Sequence, residues 1–152
     1  MESMRTDHSH HVLTVLYPLY KEEVYRRREQ MMKLAAWGAV GLLAMLFAVL
    51  LNPSKSRLTP PEGWLIGFAA LVWAGLFCSL IAQQGYRHRL AKQLLIELER
   101  ALGLYEEGLF VEHKALYPDG WQTAWLGDKS TLLYFTCLGV LTGLVLLALI
   151  FV

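Results

Sequence analysis

The residues best suited to chemistry in this chain fall into two small groups. His8, His10 and His11 stand together near the N-terminus, and imidazoles at such spacing are able to ligate a divalent metal. They have no nearby cysteine and no fixed scaffold, so they read as part of a mobile tail and not as a metal site. Glu97, Glu99, Glu106 and Glu107 form the second group. Carboxylates work as an acid–base pair, or hold a hard cation, only when they converge. On a helix, positions 97 and 99 point to different faces, so all four read as a solvated surface. Cys78 and Cys137 lie inside apolar stretches and read as small apolar residues. The chain has no Gly-rich phosphate loop, HExxH, CxxC pair or GxSxG, the arrangements that carry phosphate, zinc and acyl-transfer chemistry. The expectation is therefore no catalytic residue, no metal, no cofactor and no small-molecule substrate. A net charge of +1 gives no reason to expect nucleic acid.

The scaffold that must carry these groups is mostly apolar. Apolar residues make up 55% of the chain and charged residues 18%, against about a quarter charged in soluble domains. The surplus is gathered in Leu34–Ser54, Gly63–Tyr86 and Ser130–Val152, of 21, 24 and 23 residues, none of them containing Lys, Arg, Asp or Glu. About 20 apolar residues take a helix across roughly 30 Å of hydrocarbon. In lipid an isolated span must satisfy its own backbone, which leaves helix as its form. The first block follows a long polar segment and is too long for a signal peptide, so it reads as an uncleaved anchor. The expected fold is an all-α membrane protein with three transmembrane helices, long cytoplasmic helical extensions and a small cytoplasmic loop region. No ionisable residue lies inside any block, which argues against a transporter or pump acting alone.

Basic residues set the expected orientation, because they collect on the cytoplasmic side. Six precede the first block, two (Lys55 and Arg57) lie between the first and second, and six lie between the second and third. The clusters Arg26, Arg27, Arg28 and Arg87, Arg89, Lys92 touch the block ends. They place the N-terminus and the second loop inside the cell and Val152 outside. The same six residues are candidates for contact with anionic lipid headgroups. Trp37 and Trp125 near the inner boundaries and Trp64 near the outer one suit the interfacial preference of amphipathic rings.

Local signals divide the chain further. Residues 1–18 read as a flexible tail, and Pro18 as the start of a helix. One helix is expected over 19–51, joining a cytoplasmic segment to the first span. Asn52-Pro53 and Pro60-Pro61 bracket an outer loop over 52–62. A second helix is expected over 63–102, with Gly103 as its stop. Its cytoplasmic half carries Leu90, Leu94, Leu98 and Leu102 at helical spacing, an apolar stripe that needs a partner. The N-terminal helix is the nearest one. Residues 103–129 form the loop region, in which Leu109-Phe110-Val111 and the turn Tyr117–Trp121 suggest a short β-hairpin. The alternative there is an interfacial segment anchored by Tyr117, Trp121 and Trp125. The third span covers 130–152.

Gly139 and Gly143 lie one turn apart in the third block, and Gly75 and Ser79 in the second. Small residues at this spacing let helix backbones approach closely, so these four are the candidate helix-packing positions, within one chain or between chains. A basic helix, two spans joined by a short loop and a long cytoplasmic helix, over about 19–102, together resemble in layout the small bacterial SLATT-type membrane effectors. The third span and the Tyr117–Trp121 turn are additions to that layout. The functional expectation is a small non-enzymatic protein of a bacterial inner membrane. It would act through contacts with another membrane protein or with copies of itself, as an accessory or scaffold subunit. The alternative is a self-assembling pore with a cytoplasmic sensing half.

Overall fold

A computed structural model describes residues 2–51, 60–118, 120 and 129–151. Three long helices account for most of them: α1 (Glu2–Leu50), α2 (Pro60–Ala101) and α3 (Lys129–Phe151). All three are long and apolar enough to cross a membrane. The expected outer loop lies, for residues 52–59, outside the described residues, as do Trp121, Trp125 and the side chains of His8, His10 and His11.

Helix α1 starts well before Leu19, the expected first residue, and Pro18 lies inside it. Proline removes one backbone donor and crowds the preceding turn. Here Leu13, Leu16, Tyr17 and Tyr20 are all half-buried on either side of it. Their three- and four-residue steps form one packed face, and that face carries the helix across a residue that alone would end it. Helix α2 stops where expected. Gly103 adopts φ +70°, its N–H donates to the Arg100 carbonyl, and the Leu104 N–H donates to the Glu99 carbonyl. This is the Schellman closure that a left-handed residue makes possible.

The chain folds into two compact units. The larger apolar one comprises Gln30–Gln84 and Lys129–Val152. Its core is Leu42, Ala70, Ile81, Leu138 and Val145, with contributions from all three helices. Only about a fifth of each apolar window is buried inside it. Outward-facing residues include Trp64, Leu65, Phe68, Leu132, Leu147 and Ile150. Helices that are apolar all round need an apolar surrounding, which fits a multi-pass membrane protein. The hydroxyl of the buried Thr142 donates to the Leu138 carbonyl at 2.8 Å, as a polar group in such a place must.

Helices α1 and α2 approach closely at two glycines of α1. The indole Nε1 of Trp73 donates to the carbonyl of Gly38 at 3.2 Å. The Trp73 ring lies over Gly41, where an added Cβ would sit 2.5 Å from Nε1 and Cε2. At Gly38 an added Cβ would meet Phe77 and Leu138 at 3.0 Å. Gly38 and Gly41 therefore form a notch for a large ring whose N–H needs an acceptor.

The other unit comprises Met1–Glu29 and Gly85–Asp128. Val24 of α1 packs with Ala91 and Leu95 of α2, flanked by Tyr17 and Tyr20. His88 and Glu99 are buried on the same face of α2. Beyond α2 the expected β-hairpin is absent among the described residues. In its place Val111 and Lys114 form one isolated antiparallel bridge, with His113 in the left-handed region at φ 61°. Leu109, Phe110 and Val111 are exposed. With no third strand among the described residues to cover them, a two-stranded ribbon is marginal.

Candidate functional site

The densest polar constellation lies in the second of these units. Ala91, Leu95 and Glu99 follow one another at helical spacing, so the packing that buries the first two also withdraws the Glu99 carboxylate from water. Glu99 is 7% exposed. A buried carboxylate needs donors, and the loop after α2 supplies one: Tyr105 donates its hydroxyl to Glu99 Oε2. The Tyr105 ring meets Tyr117 edge-on, with centroids 6.1 Å apart. The Tyr117 hydroxyl lies 2.9 Å from that of Tyr17 on α1. Its backbone N–H donates to the Leu104 carbonyl at 3.0 Å. Lys21 places its ammonium 5.6 Å from the centre of the Tyr17 ring, within cation–π range.

These contacts decide what the phenols can do. Burial pushes the Tyr17 hydroxyl well above its ordinary value, and the neighbouring Tyr117 and Glu99 push it further. Burial does the same to Tyr105, followed by its hydrogen bond to Glu99 and that residue's charge. Both phenols thus stay protonated at physiological pH. The cluster instead ties α1, α2 and residues 104–117 into one polar knot. Among the described residues no group of three or more His, Cys, Asp or Glu could hold a metal ion.

Glu99 corrects one expectation: it belongs to the packed face and not to a solvated one. The same rotation affects the leucine stripe. The α1 segment is indeed the packing partner of α2 in this unit, but through Ala91 and Leu95. Leu90 and Leu94 are exposed, and Leu98 and Leu102 are half-buried. Leu94 and Leu98 join Leu16, Tyr20, Ala101 and Glu97 around a shallow groove of about 230 Å³.

The candidate helix-packing residues point away from the chain's own helices. Side-chain positions built at Gly75, Gly139 and Gly143 meet no atom within 4 Å. Ser79 turns its hydroxyl back to the Gly75 carbonyl at 2.8 Å. Helix α3 buries Leu138, Thr142, Val145 and Ala148 instead. Of the basic residues, Arg26 pairs with Glu22 at 2.9 Å and Arg27 pairs with Glu23. Arg28, Arg87 and Arg89 are exposed, and Lys92 is half-buried.

The residues that sequence reasoning missed are Gly38, Gly41 and Trp73, and the tyrosines around Glu99. A signal for the first group existed. Trp73 stands mid-way along an apolar block, far from the interfacial position where tryptophan usually finds water for its N–H. For the second group there was none, since Tyr17 and Tyr117 are 100 residues apart. Comparison of the chain with protein-family models, with curated proteins and with solved structures finds no match.

Proposed function

We propose that this chain is a non-enzymatic multi-pass membrane protein acting through protein contacts, as an accessory or scaffold subunit of a bacterial inner membrane. The N-terminus and the second loop lie in the cytoplasm and the C-terminus lies outside, on the strength of twelve basic residues against two. The 42 residues of α2 measure about 63 Å, twice the hydrocarbon thickness. Its second half therefore projects into the cytoplasm beside the first half of α1.

One observation carries the reading. The projecting helices keep Leu90 and Leu94 on α2, and Val12, Val15 and Leu19 on α1, between 41% and 57% exposed. Glu99, Tyr105, Tyr117 and Tyr17 are meanwhile engaged with one another. Burying a leucine completely contributes about 1.5–3 kcal/mol, so this row favours a partner surface. The alternative, a self-assembling pore, needs a polar lining. The hydroxyls of Ser79 and Thr136 are each bonded to a carbonyl of their own helix, which leaves little to face water.

Purification of the full chain from its native membrane in mild detergent tests the proposal. A second protein present in fixed stoichiometry supports it. A ring of identical chains favours the pore, and a lone monomer contradicts both.

A further inference from the structure

We infer that Arg28 of α1 and Arg87 of α2 form a binding site for anionic phospholipid headgroups, while Arg89, two residues along the helix from Arg87, faces another way. The inference is independent of the accessory role and rests only on the three helices crossing a bilayer.

Helices α1 and α2 run antiparallel in this unit: Leu16 lines a groove with Leu98 and Ala101, and Val24, further along α1, packs with the earlier Ala91 and Leu95 of α2. One turn beyond Val24 is Arg28, and one turn before Ala91 is Arg87. The register thus brings guanidiniums from both helices to one level. The arginines of the Arg26–Arg28 run are not equivalent. Arg26 and Arg27 are neutralised by Glu22 and Glu23. Among the described residues no carboxylate pairs with Arg28, Arg87 or Arg89.

Their depth is that of the headgroups. The apolar block of α1 begins at Leu34, six residues or about 9 Å past Arg28. That of α2 ends at Tyr86, next to Arg87. Long basic side chains span the remaining distance with their stems along apolar surface. Tyr25 and Tyr86, in the same two turns, are 62% and 66% exposed. Amphipathic rings beside unpaired guanidiniums are the side chains that prefer the headgroup layer. A planar guanidinium matches two phosphate oxygens at once. Free phosphate shares that chemistry, but the site lies against the bilayer, and lipid is the occupant it fits.

The test uses the full chain reconstituted in nanodiscs of mixed phosphatidylcholine and phosphatidylglycerol, with the lipid retained on the protein after extraction read by mass spectrometry. Wild type should retain phosphatidylglycerol above its bulk fraction, and the preference should fall with salt. Loss of Arg28 or Arg87 should lower it about fivefold each, and R28Q/R87Q by on the order of thirtyfold. R26Q, which removes a paired arginine, should behave as wild type. Retention at the bulk fraction by wild type overturns the inference without reference to any variant. So does an undiminished preference in the double variant. Equal thermal protection of lipid-free, detergent-solubilised protein by inorganic phosphate would make this a site for free phosphate and overturn the lipid assignment.

Discussion

Replacing Gly41 by alanine tests the packing of the membrane unit with a single methyl group. The added Cβ would lie 2.5 Å from the Trp73 ring, about 1 Å inside the optimum separation for non-bonded atoms. The ring has little freedom to retreat. Its Nε1 donates to the Gly38 carbonyl, and its ring centroid lies 5.0 Å from that of Phe77. Overpacking of this kind costs about 1–3 kcal/mol, and losing the indole hydrogen bond adds about 0.6 kcal/mol on the scale of membrane helices. Alanine's better helix propensity offsets at most about 1 kcal/mol. The expected result is a net loss of about 1–2 kcal/mol in detergent unfolding titrations, while Gly139→Ala, in open space, loses nothing. In a Trp73→Leu background the cost of Gly41→Ala should largely vanish, giving a coupling of at least about 1 kcal/mol. Equal behaviour of Gly41→Ala and Gly139→Ala, or a cost that persists without the ring, would refute the notch.

Three further outcomes are expected. Glu99→Ala leaves the Tyr105 hydroxyl without its acceptor and should destabilise the loop after α2 by about 1–3 kcal/mol, read as faster proteolysis within 104–118. Glu99→Gln keeps an acceptor and should lose less. Because Tyr17 and Tyr105 are harder to ionise in the folded chain than at their ordinary value of 10.0, their contribution is complete below about pH 10 and is lost above it, as the unfolded phenols ionise first. Protection of the loop should thus be flat through neutral pH and fall at alkaline pH, and the Tyr17→Phe/Tyr105→Phe variant should lack that fall; a variant that kept it would rule the phenols out as its cause. A reporter active only outside the cytoplasm should work when fused after Val152 and be silent when fused at Gly108, and the reverse pattern would overturn the orientation.

The three long helices were legible because lipid imposes a length and an absence of charge that few other environments demand. The end of α2 was legible for the same reason of necessity, since Gly103 supplies a conformation other residues resist. What escaped was rotation. Leu90, Leu94, Leu98 and Leu102 recur as regularly as Ala91, Leu95 and Glu99, and the unbroken row of leucines made the more conspicuous stripe. The face of Ala91 and Leu95 is the one that packs with Val24 of α1, and Glu99 is buried on that same face. Periodicity alone does not choose between faces one residue apart. The glycines show the same limit within the chain. The Gly139/Gly143 spacing is the familiar one, whereas Gly38 and Gly41 are three apart and matter only because Trp73, on another helix, needs both an acceptor and room. The polar knot of Tyr17, Tyr105 and Tyr117 depends on a loop fold with no periodicity to announce it.

The central claim, that the projecting face of α2 docks another protein, is tested most directly by photo-crosslinking in intact membranes. A photoreactive amino acid replaces either Leu94, on the exposed apolar row, or Gln93, exposed one position around the same helix. The account predicts one discrete protein adduct from position 94, in high yield, and little or none from position 93. Equal yields from the two positions, or no protein adduct from either, would contradict it.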